Sequence, residues 1–596
     1  MNGLKKIFRR LRTLLWTALT LLTVLAAVIV GIGKLLMPYS VHYQPELEAW
    51  LSEAFNQPVK VESFNGEWKA FGPRISLQGL TLMPEGLQSE IAIKTAALDI
   101  KPLNALIPGR PLYSFRIIGA DLSLERATDG RYVLSGLGVS NKSGGQESNA
   151  GLRDVVLNGE VRLQDISLSF DDPERDIHLL LNDVNGRFKA NGRRLAAEIN
   201  ARVADKAGVR VIGDLDAIVR VRLDSNQRLK EASWHIETGE LLLADLIPQL
   251  PHHPLIPVSG RLNAKVWGQW QQGEPQQMQG VLDLRDAQLS SQTGPLVVDH
   301  LNSRFNFEFT HRKNWRADMA GLTVGYAGEE WQSNRFSVAR NLPQNLGLWV
   351  SADYVELEYP LQLTQRIMAN YGTQWPLSVP RRAQGGVTDF DLVLDGRWQL
   401  KKLTGELRDG QFWGWEKGPD VEGLNATLAL DSSQGNVSFG GTAIKLDWLR
   451  VFRRPLVFSM ADCQLEVLWK NKHDWGLDLN RCRAENNDLS AIGRVRLAFG
   501  QGKPTVDINV ALERGEVSRF RDYWPQNVMT QKTIQWLRKS LVSGRVLNGR
   551  YTMVGDMDDF PFKDQSGKLQ AIASFNGVEV DYFDGWPRAG GAAGVV

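Results

Sequence analysis

Residues 209–223 read VRVIGDLDAIVRVRL. The odd positions hold Val209, Val211, Gly213, Leu215, Ala217, Val219, Val221 and Leu223, and the even ones Arg210, Ile212, Asp214, Asp216, Ile218, Arg220 and Arg222. Only a β-strand sends successive side chains to opposite faces, so one face here is apolar and the other largely charged. The same period recurs along the chain. Leu262, Ala264, Val266 and Trp270 alternate with Arg261, Asn263 and Lys265, and Phe305, Phe307 and Phe309 with Asn306 and Glu308. Phe390, Leu392 and Leu394 alternate with Asp389, Asp391 and Asp395, and Val506, Ile508, Val510 and Leu512 with Asp507, Asn509 and Glu513. One-sided strands belong to antiparallel sheets with a solvated face, not to parallel sheets covered on both sides. Gly159, Gly260, Gly280, Gly405, Gly423 and Gly549 recur between the runs, where a tight hairpin or a bulge needs φ > 0.

Helical spacing is rare. Pro45–Phe55 aligns Leu47, Leu51 and Ala54, and Thr530–Val542 carries Ile534, Leu537 and Leu541 before a stop at Ser543-Gly544. Shorter helices are expected at Leu361–Tyr371 and near Asp245–Leu250, and Gly138–Ala150, rich in Ser, Asn and Gly, reads as a surface loop. The fold class is therefore all-β: an elongated, repetitive antiparallel body with a few short helices. A sheet of about 30 to 40 strands spaced about 4.8 Å apart would run roughly 140 to 190 Å. That length suits an open groove and not a closed barrel.

Ahead of this body, Lys5, Lys6, Arg9, Arg10 and Arg12 precede an uncharged run, Leu14–Gly33. About 20 residues at about 1.5 Å each match a hydrocarbon core of about 30 Å, so the run reads as a single transmembrane helix with its basic end cytoplasmic. The rival reading, a cleaved signal peptide, expects a shorter apolar region and a small-residue cleavage site, whereas Lys34-Leu35-Leu36-Met37-Pro38 follows here.

The 69 basic and 67 acidic residues give a net charge of +2, which becomes −3 once the five N-terminal cations are set aside. No Lys/Arg stripe remains to neutralise phosphodiester backbones, so nucleic acid is not an expected partner. Two cysteines exclude a disulfide-dense scaffold and a four-cysteine zinc site. No phosphate-binding loop, dinucleotide fingerprint, nucleophile elbow or paired-histidine metal motif is present, and no catalytic residue, metal site or cofactor is expected. His252-His253 sits between prolines, and neighbours on an extended chain point apart. Asp171-Asp172 and Asp558-Asp559 read as acidic turns. Cys463 and Cys482 flank a hairpin around Asn471–Asp474; strict alternation sends them to opposite faces, and a disulfide between them needs a one-residue bulge. The nineteen Trp fit either a packed core or a surface that solvates lipid chains.

Three stretches carry a family resemblance. Tyr43–Leu82, YQPELEAWLSEAFNQPVKVESFNGEWKAFGPRISLQGLTL, with Gln57-Pro58-Val59, Gly66-Glu67-Trp68 and Gly72-Pro73-Arg74 in order, resembles the membrane-proximal start of the AsmA-like proteins, in particular the YhdP branch. Arg110–Leu137, RPLYSFRIIGADLSLERATDGRYVLSGL, resembles the next unit, and Tyr523–Phe562, YWPQNVMTQKTIQWLRKSLVSGRVLNGRYTMVGDMDDFPF, the central segment with its helix and Phe-Pro-Phe. The resemblance implies a single-pass inner-membrane protein of Gram-negative bacteria whose U-shaped periplasmic β-groove carries or tethers phospholipid between the two membranes. Chains of that family are usually longer. Here residues 588–596, RAGGAAGVV, read as neither a strand nor a cap, which suggests a fragment or a frameshifted product.

The expected organisation is a cytoplasmic tail at 1–13, a membrane helix at 14–33 and a membrane-proximal segment at 34–137. A flexible loop at 138–152, a groove body at 153–520, a central family segment at 521–587 and an atypical end at 588–596 follow. Groove-lining candidates are Leu262, Val266, Trp270, Phe305, Phe307, Phe309, Phe390, Leu392 and Leu394. Expected partners are phospholipid and the inner membrane, with outer-membrane or periplasmic proteins as a further class. The competing function is an assembly scaffold that binds client strands through its sheet edges. Alkaline phosphatase fused after Asn141 should be active in the periplasm; an inactive fusion, with an active cytoplasmic reporter at the same position, would refute the topology.

Overall fold

Alternation along a single strand yields a two-faced sheet only if neighbouring strands pair in register, and in the computed structural model they do. It describes residues 2–596 apart from 83–90, 127–131, 136–158, 225–228, 250–256, 290–295, 342–345, 362–379, 525–528 and stretches of one to three residues in other connections. The expected loop at Gly138–Ala150, His252-His253 and all but the first residue of Leu361–Tyr371 lie outside the described residues. The chain divides into two compact units, Met1–Ser290 and Ser291–Val596.

The first unit opens with α1 (Asn2–Leu36), whose segment Arg12–Leu36 is long and apolar enough to cross a membrane. A 3-10 turn leads into α2 (Gln44–Phe55). Then come β1 (Val59–Lys69), β2 (Gly72–Leu82), β3 (Ile91–Ile100), β4 (Tyr113–Arg126), β5 (Tyr132–Ser135) and β6 (Gly159–Asp172). They are followed by β7 (Ile177–Asn191), β8 (Arg194–Ala204), β9 (Val211–Leu223), β10 (Leu229–Leu242), the single turn α3 (Leu243–Leu246), β11 (Ser259–Gln271) and β12 (Glu274–Leu289). Each strand pairs antiparallel with the next, with one exception. The short β5 folds back on the end of β4, and β6 then runs parallel to β4 from Tyr113↔Gly159 to Glu125↔Asp171. The all-antiparallel expectation fails there because residues 136–158 give the chain the length a parallel return needs.

The second unit holds β13 (Leu296–Phe309), β14 (Trp315–Tyr326), β15 (Glu329–Asn341), β16 (Leu346–Glu356), β17 (Arg382–Asp395), β18 (Leu400–Trp413), β19 (Asp420–Asp431) and β20 (Gln434–Gly441). The small pair β21 (Ile444–Asp447) and β22 (Leu456–Phe458) precedes β23 (Met460–Asn471), β24 (Asp474–Glu485), β25 (Leu489–Phe499) and β26 (Thr505–Glu516). Helix α4 (Gln531–Ser540), β27 (Leu541–Asp556), β28 (Gly567–Val580) and β29 (Ala589–Val595) complete it.

Several local expectations are corrected. Helix α4 stops at Ser540 instead of running to Val542, because Leu541 pairs with Val580 and the Ser540 carbonyl accepts a hydrogen bond from Asp581 N at 2.9 Å. Asp171 and Asp172 close β6 ahead of the turn, with Asp172 fully buried, and are not the turn itself. Residues 589–595 form a strand on β28 although their side chains are small, since ladder hydrogen bonds use only the backbone. Cys463 and Cys482 face each other and are joined as a disulfide. Gln464 pairs with Arg481 but Leu465 with Leu479, so Asn480 is the extra residue that brings both sulfurs to one face.

The deepest line of the first unit follows residues in the left-handed region. Gly79, Gly119, Asp165 and Asp183 all take positive φ, between 50° and 63°, and the residue after each is buried: Leu80, Ala120, Ile166 and Val184. With Ile93 these form one ladder row, Leu80↔Ile93↔Ala120↔Ile166↔Val184, none more than 4% exposed. At Asp165 and Asp183 the register also shifts by one residue, and a bulge bends its strand, so these two crease the sheet along that row. Sequence reading assigned bulges to glycine; aspartate also tolerates the left-handed region, and Asp286 and Asp389 repeat the device. By contrast Gly280 lies inside β12, where a Cβ would come within 2.2 Å of the Lys265 carbonyl oxygen.

Edge strand β1 is covered by α2. Gln44, Glu48 and Ser52 lie four apart on one helical face; Gln44 Nε2 donates to the Val61 carbonyl at 2.7 Å, Val61 N donates to Glu48 Oε1 at 3.0 Å, and Val59 N donates to Ser52 Oγ at 3.0 Å. Leu51 of α2 joins the core beside Val59, Val61 and Leu80. Gly33 of α1 makes room for the Trp68 ring, which a Cβ there would approach to 2.3 Å. Glu48→Ala should therefore speed hydrogen exchange at Val61 by about tenfold, for a lost charged hydrogen bond of about 1.5 kcal/mol, while the β8 amides stay protected; equal exchange in both places would refute the cap.

Candidate functional site

Residues opposite one another in a ladder share a face, so register decides whether apolar stripes on single strands merge. In the second unit they merge. One row runs Phe307↔Ala317↔Val338↔Val350↔Leu392↔Leu403↔Leu430, and continues through Gly435, Val467, Leu477 and Leu497 to Val506. A neighbouring row carries Leu428, Val437, Leu465, Leu479, Val495, Ile508, Met553 and Leu569. The first unit has its own rows, such as Ile117↔Leu163↔Gly186↔Ile199↔Ala217↔Ile236↔Val266↔Gly280.

All nine residues singled out from sequence lie on these faces, and all are half-buried. Leu262 faces Leu241 and Leu284, Val266 faces Ile236 and Gly280, and Trp270 faces Ala232 and Pro275. Phe305 faces Met319, Phe307 faces Ala317, and Phe309 faces Trp315; the Phe307 ring lies 4.5 Å from Phe309 and 5.5 Å from Trp315, centroid to centroid. Phe390 faces Ala352, Leu392 faces Val350 and Leu403, and Leu394 faces Leu348 and Leu400. The structure thus joins the six phenylalanine and leucine positions of β13 and β17 through β14–β16, while the β11 residues belong to the first unit. Sequence reading missed the intervening partners Met319, Val338 and Val350, since their strands carry weaker alternation.

The opposite face is held by charge. Lys265 pairs with Glu237 at 2.5 Å, Lys402 with Asp391 at 2.6 Å, and Asp478 receives both Arg494 at 3.0 Å and Arg496 at 2.8 Å. Glu160 is 4% exposed and accepts from Arg162 at 2.9 Å and from Arg187 at 2.6 Å. Burial, the largest single influence, pushes its carboxyl up, but the hydrogen bonds and charges of the two guanidinium groups together hold it below the ordinary carboxylate range. Among the described residues no group of three or more His, Cys, Asp or Glu could hold a metal ion.

The family model described as YhdP protein matches residues 1–596. The chain belongs to the YhdP family. It is 21% identical, over an alignment of 609 residues, to the intermembrane phospholipid transporter YhdP of Escherichia coli strain K12, covering 97% of this chain and 46% of that protein. The chain therefore spans about half the length of the curated relative it matches. No solved structure matches it.

Because the folded state depresses the Glu160 carboxyl, that group stabilises the fold at pH values above its unfolded-state pKa, near 4.3, and the contribution fades as pH falls through the folded value. Glu160→Gln should lower stability by roughly 2 kcal/mol at pH 7 and by progressively less as pH falls below the unfolded-state value, followed by denaturant titration of the detergent-solubilised protein. A pH-independent difference would mean that packing, not the ion pairs, is what Glu160 supplies.

Proposed function

We propose that this chain is an inner-membrane-anchored protein whose periplasmic body binds phospholipid along its apolar faces and carries or tethers it between membranes. The observation that carries this reading is the continuity of the rows: apolar residue faces apolar residue across successive strands, and most of them, Phe307, Val338, Val350, Leu392 and Leu403 among them, are only half-buried. A lipid chain laid there gains about 0.8 kcal/mol per buried CH₂, which requires no charged or catalytic group. Membership of the YhdP family and the name of the Escherichia coli relative point the same way. The candidate span Arg12–Leu36, with its basic N-terminal flank, supplies the anchor. A scaffold for client strands needs free edges, and the β1 edge is already occupied by α2.

Phe307→Asp places an ion against the lipid path and should lower co-purifying phospholipid several-fold while the protein still folds; Asn306→Asp, on the charged face, should not. Photo-crosslinkers at 305 and 307 should capture lipid in cells well above one at 306. Equal capture at all three positions, or unfolding of Phe307→Asp, would indicate an ordinary packed core instead.

A further inference from the structure

The charged face of the first unit is interrupted across β9–β12. Two successive rungs there read Ile218↔His235↔Trp267↔Gln279 and Arg220↔Ser233↔Gln269↔Gln277. Their residues alternate with Val219, Ile236 and Val266 along the strands, so both rungs lie on the side of the sheet turned away from the apolar rows. The neighbouring rungs hold ion pairs, Lys265 with Glu237 at 2.5 Å and Arg222 with Glu231 at 3.3 Å. In the two rungs between them Arg220 is the single Lys, Arg, Asp or Glu; it is exposed and has no ion pair or side-chain hydrogen bond among the described residues. Glu198, opposite Ile218 on β8, is exposed and unpaired in the same sense.

This break turns apolar surface to water: Ile218 is 38% and Trp267 40% exposed. The His235 imidazole stacks on the Trp267 indole, with ring centroids 5.1 Å apart and planes 4° from parallel. The stack holds the indole by one face, and Trp267 borders a hollow of about 310 Å³ that Gln269, Gln277 and Gln279 also line. Trp234 and Gly268, the pair between the two rungs, form its floor. A preset aromatic ring edged by carboxamides complements a sugar. A pyranose offers a face of C–H bonds that packs on an indole and an edge of hydroxyls that donate and accept at once, as a carboxamide does. An anion is a poorer match, because Arg220 is the one cation in the lining and Glu198 offsets it.

We propose that this break is a saccharide-binding site on the outer face of the sheet, taking a neutral chain of β-linked pyranoses. One ring lies on the free face of Trp267, and Gln269, Gln279 and Arg220 hydrogen-bond its hydroxyls. The site does not rest on the groove reading, since a lipid chain against Ile236 and Val266 would lie on the far side of the same strands.

The test uses the full chain in a detergent without a sugar headgroup, with radiolabelled cellotetraose and chitotetraose as probes in equilibrium dialysis. Wild type should bind at least one of them. Trp267→Ala should weaken that binding about tenfold, and Trp267→Phe, which keeps a ring, by less. Gln269→Ala removes an amide with no side-chain hydrogen bond among the described residues; it should weaken binding several-fold and decides the matter if Trp267→Ala does not fold. Trp398→Ala, at a turn of the second unit where the indole is equally open to water, should leave binding unchanged. Binding of neither probe by wild type overturns the site, and so does binding that Gln269→Ala leaves intact or that Trp398→Ala weakens as much as Trp267→Ala. None of these outcomes bears on the lipid reading, which crosslinking at 305 and 307 tests separately.

Discussion

The structure depends on the backbone ladder and its register. A strand with a period of two has an apolar side in isolation, but that side becomes a surface only when the hydrogen-bonded partner presents its own apolar side to the same half-space. A slip of one residue between β16 and β17 would set Val350 beside Asp391 and break the row at its middle. Every later feature, from the half-buried faces to the charged ones, follows from register holding across strand after strand.

What fixes the register is divided between the two faces. On the apolar side, pairs such as Phe307 with Ala317 and Leu477 with Leu497 lose water-exposed area only when aligned. On the charged side, Asp478 between Arg494 and Arg496, or Lys265 against Glu237, contributes little stability as an exposed ion pair, yet a misaligned strand would bring like charges together. Where the sheet ends at β1, side chains of α2 take up the backbone groups that a further strand would use, which removes a template for aggregation.

Bulges turn this ladder into a creased sheet. In the first unit they fall at Asp165 and Asp183, and with the left-handed Gly79 and Gly119 each drives the next side chain into the deepest row. Burial is therefore concentrated in a narrow line, while most apolar residues on the same face remain half-open. On the proposed reading that division has a use: the crease holds the strands together, and the open part of the face remains for a ligand. A fully closed core would be more stable and would have nothing left to bind with.

The alternation at Val209–Leu223 and at Phe305–Phe309 is local information, and it was enough to establish an antiparallel all-β body and to place nine residues on its apolar faces. Equally local were the apolar run after five cations and the helix at Pro45–Phe55, because hydropathy and helical spacing need no partner. What depended on which strand lies beside which was not legible. The parallel return of β6 onto β4, the merging of stripes through Met319 and Val338, and the meeting of Cys463 with Cys482 across the bulge at Asn480 are set by long-range pairing. The stack of His235 on Trp267 was equally invisible, since α3 and a connection separate them in the chain and only the ladder between β10 and β11 brings them together. Periodicity determined which side of each strand is apolar; the tertiary pairing decided what each side faces.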